Sequence, residues 1–223
     1  MRLACLYSGG KDSNLALFKA LKNNYKVEVL VNLVPKNKDS FMFQSSNMSL
    51  VKLQSKALGI PLIQKITVGK KEKELEDLYF ALLEAKKRFG IQGVLTGAIN
   101  SIYQNSRIQR VANELDLFVF SPLWLLNPIK ELNELIKHKF KVIIVKISSY
   151  PLTKDLLGKG LKEVYDFLIK NKDIINPAGE GGEYETFVLK SPLFKKEIKV
   201  LESEIKEENK YVAELLIKKA ELV

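Results

Sequence analysis

The chain has 223 residues, of which 46% are hydrophobic and 28% charged, a balance typical of a globular protein with one large or two smaller domains. It contains one cysteine and one histidine, which excludes an internal disulfide, a zinc site built on cysteines and a histidine-rich metal centre. Because cysteine is so rare, we expect a reducing compartment and a cytoplasmic protein. No apolar run reaches about 18 residues, so no membrane span is predicted.

Basic residues outnumber acidic ones by 36 to 26, which gives a formal net charge of +10. The lysines are scattered along the chain, and a solvated surface explains such a pattern better than a nucleic-acid site does. We therefore expect neither a nucleic-acid partner nor a membrane partner.

The first part of the chain alternates buried strands with amphipathic helices. Short apolar runs predict strands at 3–7, 27–34, 62–68, 93–96 and 117–120. Residues at helical spacing between them predict helices, for example Leu75, Leu78 and Leu82 before Gly90. Because parallel neighbours need long crossovers, we predict a doubly wound α/β unit with a parallel five-stranded sheet over residues 1–126.

The pattern changes after Pro122, which indicates a second, smaller α+β unit over residues 127–223. Its predicted elements are a helix over 129–137, a buried strand over 142–147 and a helix around 161–168, followed by glycine-rich sequence at 179–182. From Thr186 onward we predict strands. The last segment, 211–223, fits a helix as well as a strand, because its apolar residues satisfy both spacings.

The stretch Ser8-Gly9-Gly10-Lys11-Asp12-Ser13 joins the first predicted strand to the first predicted helix, at the sheet edge where open α/β proteins bind ligands. Its glycines permit a tight turn, the helix start presents unpaired amides, and the hydroxyls and the lysine add donors. These features predict a phosphate cradle that is neither a Walker A loop nor a dinucleotide fingerprint. We expect Lys11 and Asp12 at an exposed helix start, with Asp12 and Ser13 able to cap the helix.

This motif resembles the PP-loop of the N-type ATP pyrophosphatases, which split ATP into AMP and pyrophosphate. The resemblance implies the adenine nucleotide alpha hydrolase-like (HUP) fold, with ATP bound by residues 8–13. It implies catalytic roles for Lys11, which would stabilise charge on the phosphates, and for Asp12. It also implies Mg²⁺, with Asp12 as candidate ligand, because neutralising a polyphosphate leaving group is the usual task of this ion.

Three further stretches resemble the diphthine-ammonia ligase family: Asp39–Gln44 (DSFMFQ), Gly97–Gln104 (GAINSIYQ) and Gly179–Thr186 (GEGGEYET). This family amidates the modified histidine diphthine on elongation factor 2. The resemblance implies a C–N ligase that joins ammonium to the diphthine carboxylate through an acyl-adenylate, in a homodimer. The sequence lacks the nucleophilic cysteine and histidine pair of a glutaminase, so free ammonium is the expected nitrogen donor.

The second of these stretches and the helix after it hold candidate binding residues. Gly97 and Ala98 end the fourth predicted strand beside the first, where small side chains leave space for an adenine or a ribose. Arg107 and Arg110 are three residues apart on one helix, so they share a face and are candidates for binding a phosphate or a carboxylate. The resemblance adds Tyr103 to this substrate-binding group.

The glycine-rich block places Glu180, Glu183 and Glu185 within six residues, where a cationic ligand would relieve the repulsion between like charges. Diphthine, the substrate implied by the resemblance, carries a quaternary ammonium, which aromatic faces and carboxylates bind. We expect these glutamates and Tyr184 to line the acceptor pocket, with Tyr184 on the methyl groups. Glu183 is the candidate for attracting ammonium or taking its proton.

Two other functions stay open at this point. A PP-loop enzyme that modifies RNA, of the tRNA lysidine synthetase type, is favoured by the net positive charge. Thiolation by a pair of cysteines is excluded, because Cys5 stands alone. A nucleotide-binding sensor of the universal stress type is less favoured, because it leaves residues 179–186 unexplained.

Overall fold

The computed structural model describes residues 1–35, 47, 50–67 and 71–223. Its first layer is a parallel sheet of five strands. The strands are β1 (Arg2–Leu6), β2 (Lys26–Pro35), β3 (Leu62–Thr67), β4 (Gly93–Leu95) and β5 (Phe118–Phe120). Their order is β3-β2-β1-β4-β5, and each neighbouring pair is parallel. The predicted sheet is confirmed.

Helices cover both faces of this sheet, as expected for a doubly wound fold. They are α1 (Lys11–Lys22), α2 (Val51–Leu58), α3 (Lys71–Phe89) and α4 (Ile102–Glu114). In β1, Leu3 and Cys5 belong to the core that α1 and α2 cover, whereas Ala4 belongs to the core that α3 and α4 cover. Successive side chains of β1 therefore pack into two hydrophobic cores, one on each face of the sheet, which explains why the centre of β1 is uniformly buried.

The second layer is a four-stranded antiparallel sheet built from the last hundred residues, with the order β7-β6-β9-β8. Its elements are α5 (Pro128–Lys137), β6 (Lys141–Ile147), α6 (Leu161–Lys170), β7 (Tyr184–Lys190), β8 (Ile198–Asn209) and β9 (Val212–Leu222). The final segment is a strand, because Ala213, Leu215 and Ile217 are buried with a period of two and pair with β8.

The two sheets share one hydrophobic core. Residues of α1, such as Leu15 and Leu17, belong to the same buried cluster as Ile144 of β6 and Val188 of β7. Gln54 of α2 also bridges the layers, since its side-chain amide donates to the carbonyls of Gly9 (2.9 Å) and Val188 (2.8 Å). The predicted boundary between residues 126 and 127 falls between β5 and α5, and the division into two domains stays a prediction.

Across the described ranges, no helix combines the length and the apolar character needed to cross a membrane.

Candidate active site

A cavity of about 460 Å³ opens at the carboxyl edge of the parallel sheet, where the strand order reverses beside β1. Its walls come from the ends of β1, β2 and β4, the start of α1 and the loop before β7. The predicted residues in these walls are Ser8, Lys11, Asp12, Ser13, Gly97, Ala98, Glu180, Tyr184 and Glu185. The structure therefore brings the first motif and the glycine-rich acidic block together across one cavity.

Glycines shape the PP-loop where other backbone or side-chain atoms approach it closely. Gly9 has φ +85°, and a Cβ there would lie 2.4 Å from Gln54 Oε1. A Cβ on Gly97 would lie 2.8 Å from backbone atoms of Asp12 and Ser13. Glycine is therefore required at position 97 for a steric reason that the sequence did not indicate: it lets the first turn of α1 approach the end of β4.

The start of α1 has a different cap from the predicted one. Gly10 is the N-cap residue and has no side chain to cap the helix, and the Lys11 amide donates instead to Thr186 Oγ1 of β7 at 3.1 Å. Ser13 Oγ instead donates back to the Gly10 carbonyl (3.1 Å) and lies 3.3 Å from Ser8 Oγ. The helical ladder begins with the Asn14 amide donating to Gly10, so the amides of Asp12 and Ser13 precede it at the cavity wall. This arrangement suits an anion.

Lys11 is buried, with 2% of its side chain exposed, so its expected exposure is wrong, whereas Asp12 is 34% exposed. The Lys11 Nζ donates to a carboxylate oxygen of Asp12 and, at 2.9 Å, to Glu131 Oε1. Burial disfavours the charged amine, but Asp12 and Glu131 outweigh burial and hold the pKa of Lys11 well above its usual value. Lys11 therefore stays protonated and gives the PP-loop a buried positive charge.

Glu131 is a site residue that the sequence analysis missed. It lies in the first turns of α5, after the N-cap Asn127 and Pro128, where an acidic residue normally faces solvent. Its side chain is fully buried, and Oε2 has no hydrogen-bond donor. Burial raises the pKa of Glu131 well above its usual range; Lys11 opposes this rise and Asp12 adds to it. Its position four residues before Leu135, on the apolar stripe of α5, was the available signal.

The acidic block gives its three glutamates different tasks. Glu183 Oε1 accepts from the Asn176 amide (2.9 Å) and Oε2 from the Gly181 amide (2.8 Å), so this carboxylate holds the loop together. Glu183 does not line the cavity, which corrects the placement expected for it. Glu185 does line the cavity, and its carboxylate accepts from Lys146 Nζ at 3.2 Å.

Glu180 is the glutamate of this block whose environment is most perturbed. Burial raises the pKa of its carboxyl to about 7, the charge of Asp12 adds to the rise, and Lys11 and the Asn100 amide oppose it. Tyr184 lies beside it in the cavity wall, and its hydroxyl donates to the Pro177 carbonyl at 2.6 Å. Burial also raises the pKa of Tyr184, so its side chain is neutral, and only 4% of the residue is exposed.

The residues predicted on α4 lie elsewhere. The Arg107 guanidinium stacks on the Tyr103 ring at 3.6 Å, and neither residue lines the cavity. Arg110 is exposed, pairs with Glu114 at 3.3 Å and borders a separate groove between α3 and α4. Their substrate-binding role stays a prediction, since the residues of this segment that line the cavity include Ser101 and Gln104 and none of these three. The motif at 39–44 lies outside the described residues.

A doubly wound sheet with a Ser-Gly-Gly-Lys-Asp-Ser anion cradle at its switch point defines a nucleotide-binding α/β protein. Family models described as the diphthamide synthase N-terminal domain and C-terminal domain match residues 1–118 and 127–223. The chain belongs to the diphthamide synthase family, and the curated relatives that it matches are diphthine–ammonia ligases.

Three such relatives illustrate the match. The mouse diphthine–ammonia ligase is 36% identical over 92% of this chain and 84% of its own length. The human enzyme is 34% identical over 92% of this chain and 85% of its own length. The Schizosaccharomyces pombe enzyme is 35% identical over 93% of this chain and 37% of its own length. A solved structure described as a predicted subunit of tRNA methyltransferase from Methanocaldococcus jannaschii has a TM-score of 0.43 and 17% identity, covering 86% of this chain and 98% of that one. This last likeness is too distant to bear on function.

Proposed function

We propose that this protein is an ATP-dependent ligase that amidates the diphthine carboxylate of elongation factor 2 with ammonium, giving diphthamide, AMP and pyrophosphate. The observation that carries the proposal is the single cavity that joins the PP-loop to the acidic block containing Glu180 and Tyr184. One wall is suited to an anionic nucleotide and the other to a cationic acceptor, as an acyl-adenylate mechanism requires. Family membership supports the same reaction.

On the nucleotide side, the PP-loop would hold the phosphates. Ser8, Lys11, Asp12 and Ser13 all border the cavity, and the amides of Asp12 and Ser13, the two hydroxyls and the ammonium of Lys11 are the candidate donors. They would stabilise the negative charge that develops as the diphthine carboxylate attacks the α-phosphorus and pyrophosphate departs. Ala98, at the carboxyl end of β4, leaves space for the nucleoside beside them.

Magnesium fits this site through Asp12. No three histidine, cysteine or acidic side chains form a metal-binding group in the part of the chain that the structure describes. Mg²⁺ is often bound by one or two carboxylates together with substrate phosphates, and the carboxylate of Asp12 is partly exposed at the cavity. When bound, the ion would neutralise charge on the leaving pyrophosphate.

On the acceptor side, Tyr184 and the carboxylates beside it would bind the trimethylammonium group of diphthine. The Tyr184 hydroxyl is held by Pro177, so the ring is fixed in the wall. Glu180 is the candidate for taking a proton from the attacking nitrogen, because the Glu183 carboxylate is occupied by the Asn176 and Gly181 amides. The Glu180 carboxyl faces the cavity with a pKa of about 7, close to the working pH that favours proton transfer.

The proposal is tested by which acceptor drives AMP release. The protein is incubated with radiolabelled ATP, Mg²⁺ and ammonium, with diphthine-bearing elongation factor 2 or with tRNA. We expect AMP only with the elongation factor, and none when ammonium is replaced by glutamine. AMP release and a modified base with tRNA would instead establish an RNA-modifying enzyme. A homodimer and a cytoplasmic location are further parts of the proposal, testable by light scattering and by cell fractionation.

A further inference from the structure

A buried contact links the PP-loop to a helix of the second layer. Glu131 of α5 lies 120 residues from Lys11 in sequence, yet Oε1 accepts from Lys11 Nζ at 2.9 Å, and both side chains are buried. Glu131 does not line the cavity, whereas Lys11 does. Glu131 therefore acts on a ligand in the cavity through its neighbours there, and its direct hydrogen bond is to the lysine.

The contact restricts where the Lys11 ammonium points. A lysine has a flexible stem and three N–H donors, so a single partner would leave its direction poorly defined. Asp12 and Glu131 accept from this ammonium and so fix two of its three donor directions, while Lys11 itself lines the cavity. The backbone amide of Lys11 is held as well, since it donates to Thr186 Oγ1 of β7 at 3.1 Å.

We propose that Glu131 is a positioning residue of the nucleotide site, which aims the Lys11 ammonium at the phosphates of the bound nucleotide. The proposal rests on the proposed function for the identity of that nucleotide, ATP. Stability alone is a poor explanation for the contact, because replacing a buried ion pair by well-packed apolar groups is often neutral or stabilising. Positioning explains why an acidic side chain is kept within the apolar face of α5.

Three substitutions separate the two explanations. Glu131→Met keeps the volume but removes the oxygens, Glu131→Asp keeps the charge but withdraws it by one methylene, and Glu131→Gln keeps an acceptor for Lys11. The matched control is Glu134→Gln, one turn further along α5, where Glu134 forms a partly exposed ion pair with Lys19 of α1 at 2.6 Å. ATP affinity is measured by calorimetry with Mg²⁺ and without acceptor or ammonium, alongside the melting temperature.

We expect Glu131→Met and Glu131→Asp to weaken ATP binding roughly tenfold or more, the loss that follows when one charge-assisted contact is misdirected. Glu131→Gln should stay within about threefold of wild type, because its amide oxygen replaces Oε1 as the acceptor. Glu134→Gln should bind ATP normally, because its ion pair is partly exposed to solvent and neither partner lines the cavity. Since no acceptor is present, the result holds even if elongation factor 2 proves to be the wrong substrate.

Normal ATP affinity in Glu131→Met or in Glu131→Asp would overturn the proposal. Equal losses in Glu131→Gln and Glu131→Met would overturn it too, because they would show that the carboxylate charge or the local fold matters and the acceptor position does not. If Glu131→Met unfolds below the assay temperature, Glu131→Asp and Glu131→Gln still decide between the two explanations.

Discussion

Gly97→Ala is expected to reduce the use of ATP by displacing the start of α1. The added Cβ would lie 2.8 Å from the Asp12 carbonyl carbon and the Ser13 nitrogen, whereas ordinary contacts begin at 3.4 Å. The helix start must therefore move by about 0.6 Å, because the obstructing atoms are backbone and cannot rotate away. A misplacement of about 1 Å costs about 10²-fold in rate, so we expect a loss of about tenfold in kcat/KM for ATP.

The assay measures AMP release at several ATP concentrations, together with thermal unfolding. Overpacking of this kind costs about 1–3 kcal/mol, and each kcal/mol lowers Tm by about 2–4 °C in a chain of this size. Gly93→Ala is the matched control, because its Cβ would lie 2.9 Å from the Phe118 carbonyl oxygen at the opposite end of β4. This control should lose stability but keep its kcat/KM. A Gly97→Ala protein that uses ATP like wild type would refute the reasoning.

The remaining predictions concern side chains of the site. Lys11→Ala should reduce AMP formation by roughly 10²-fold or more, and should also lower Tm, because Glu131 then loses its buried partner. With free ammonia held constant, amidation should rise with pH through about 7, since Glu180 accepts a proton only when ionised, and Glu180→Gln should remove this limb. Tyr184→Phe should cost about 1 kcal/mol in urea unfolding, through the lost bond to Pro177, and keep amidation. Tyr184→Ala should impair amidation and leave ATP affinity, measured by calorimetry, near wild type.

Three results would contradict these expectations. Normal AMP formation in Lys11→Ala would remove the lysine from the nucleotide site. A rising limb that persists in Glu180→Gln would assign the titration to another group. Equal amidation by Tyr184→Ala and Tyr184→Phe would show that the ring does not hold the acceptor.

The parallel sheet was predictable because its signals are local. Each strand is a short apolar run, and each glycine turn or amphipathic helix lies next to it in sequence, as in the passage from β1 through Ser8–Ser13 into α1. The final strand was ambiguous, since its apolar residues fit two periods. Only the pairing of β9 with β8, for example Ile205 with Leu215, decides between them.

The burial of Lys11 was not predictable, because it depends on α5, which lies more than a hundred residues away in sequence. The roles of Glu180 and Glu183 were not predictable either. Their order in the sequence does not show that Glu183 accepts from the Asn176 and Gly181 amides while Glu180 lines the cavity. The partners of Arg107 and Arg110 were not predictable, because helical spacing fixes a shared face without stating what that face contacts.

The contacts that hold the PP-loop have a consequence for how the protein is made. Lys11 is held by Thr186, and the Gly9 carbonyl accepts from Val188, so partners more than 170 residues apart must meet. Synthesis proceeds from the N-terminus, and contacts of such long sequence separation form slowly. The first layer therefore leaves the ribosome well before β7 exists, without its finished phosphate cradle. Bound ATP would act as a stabilising ligand late in folding, once the second layer has docked.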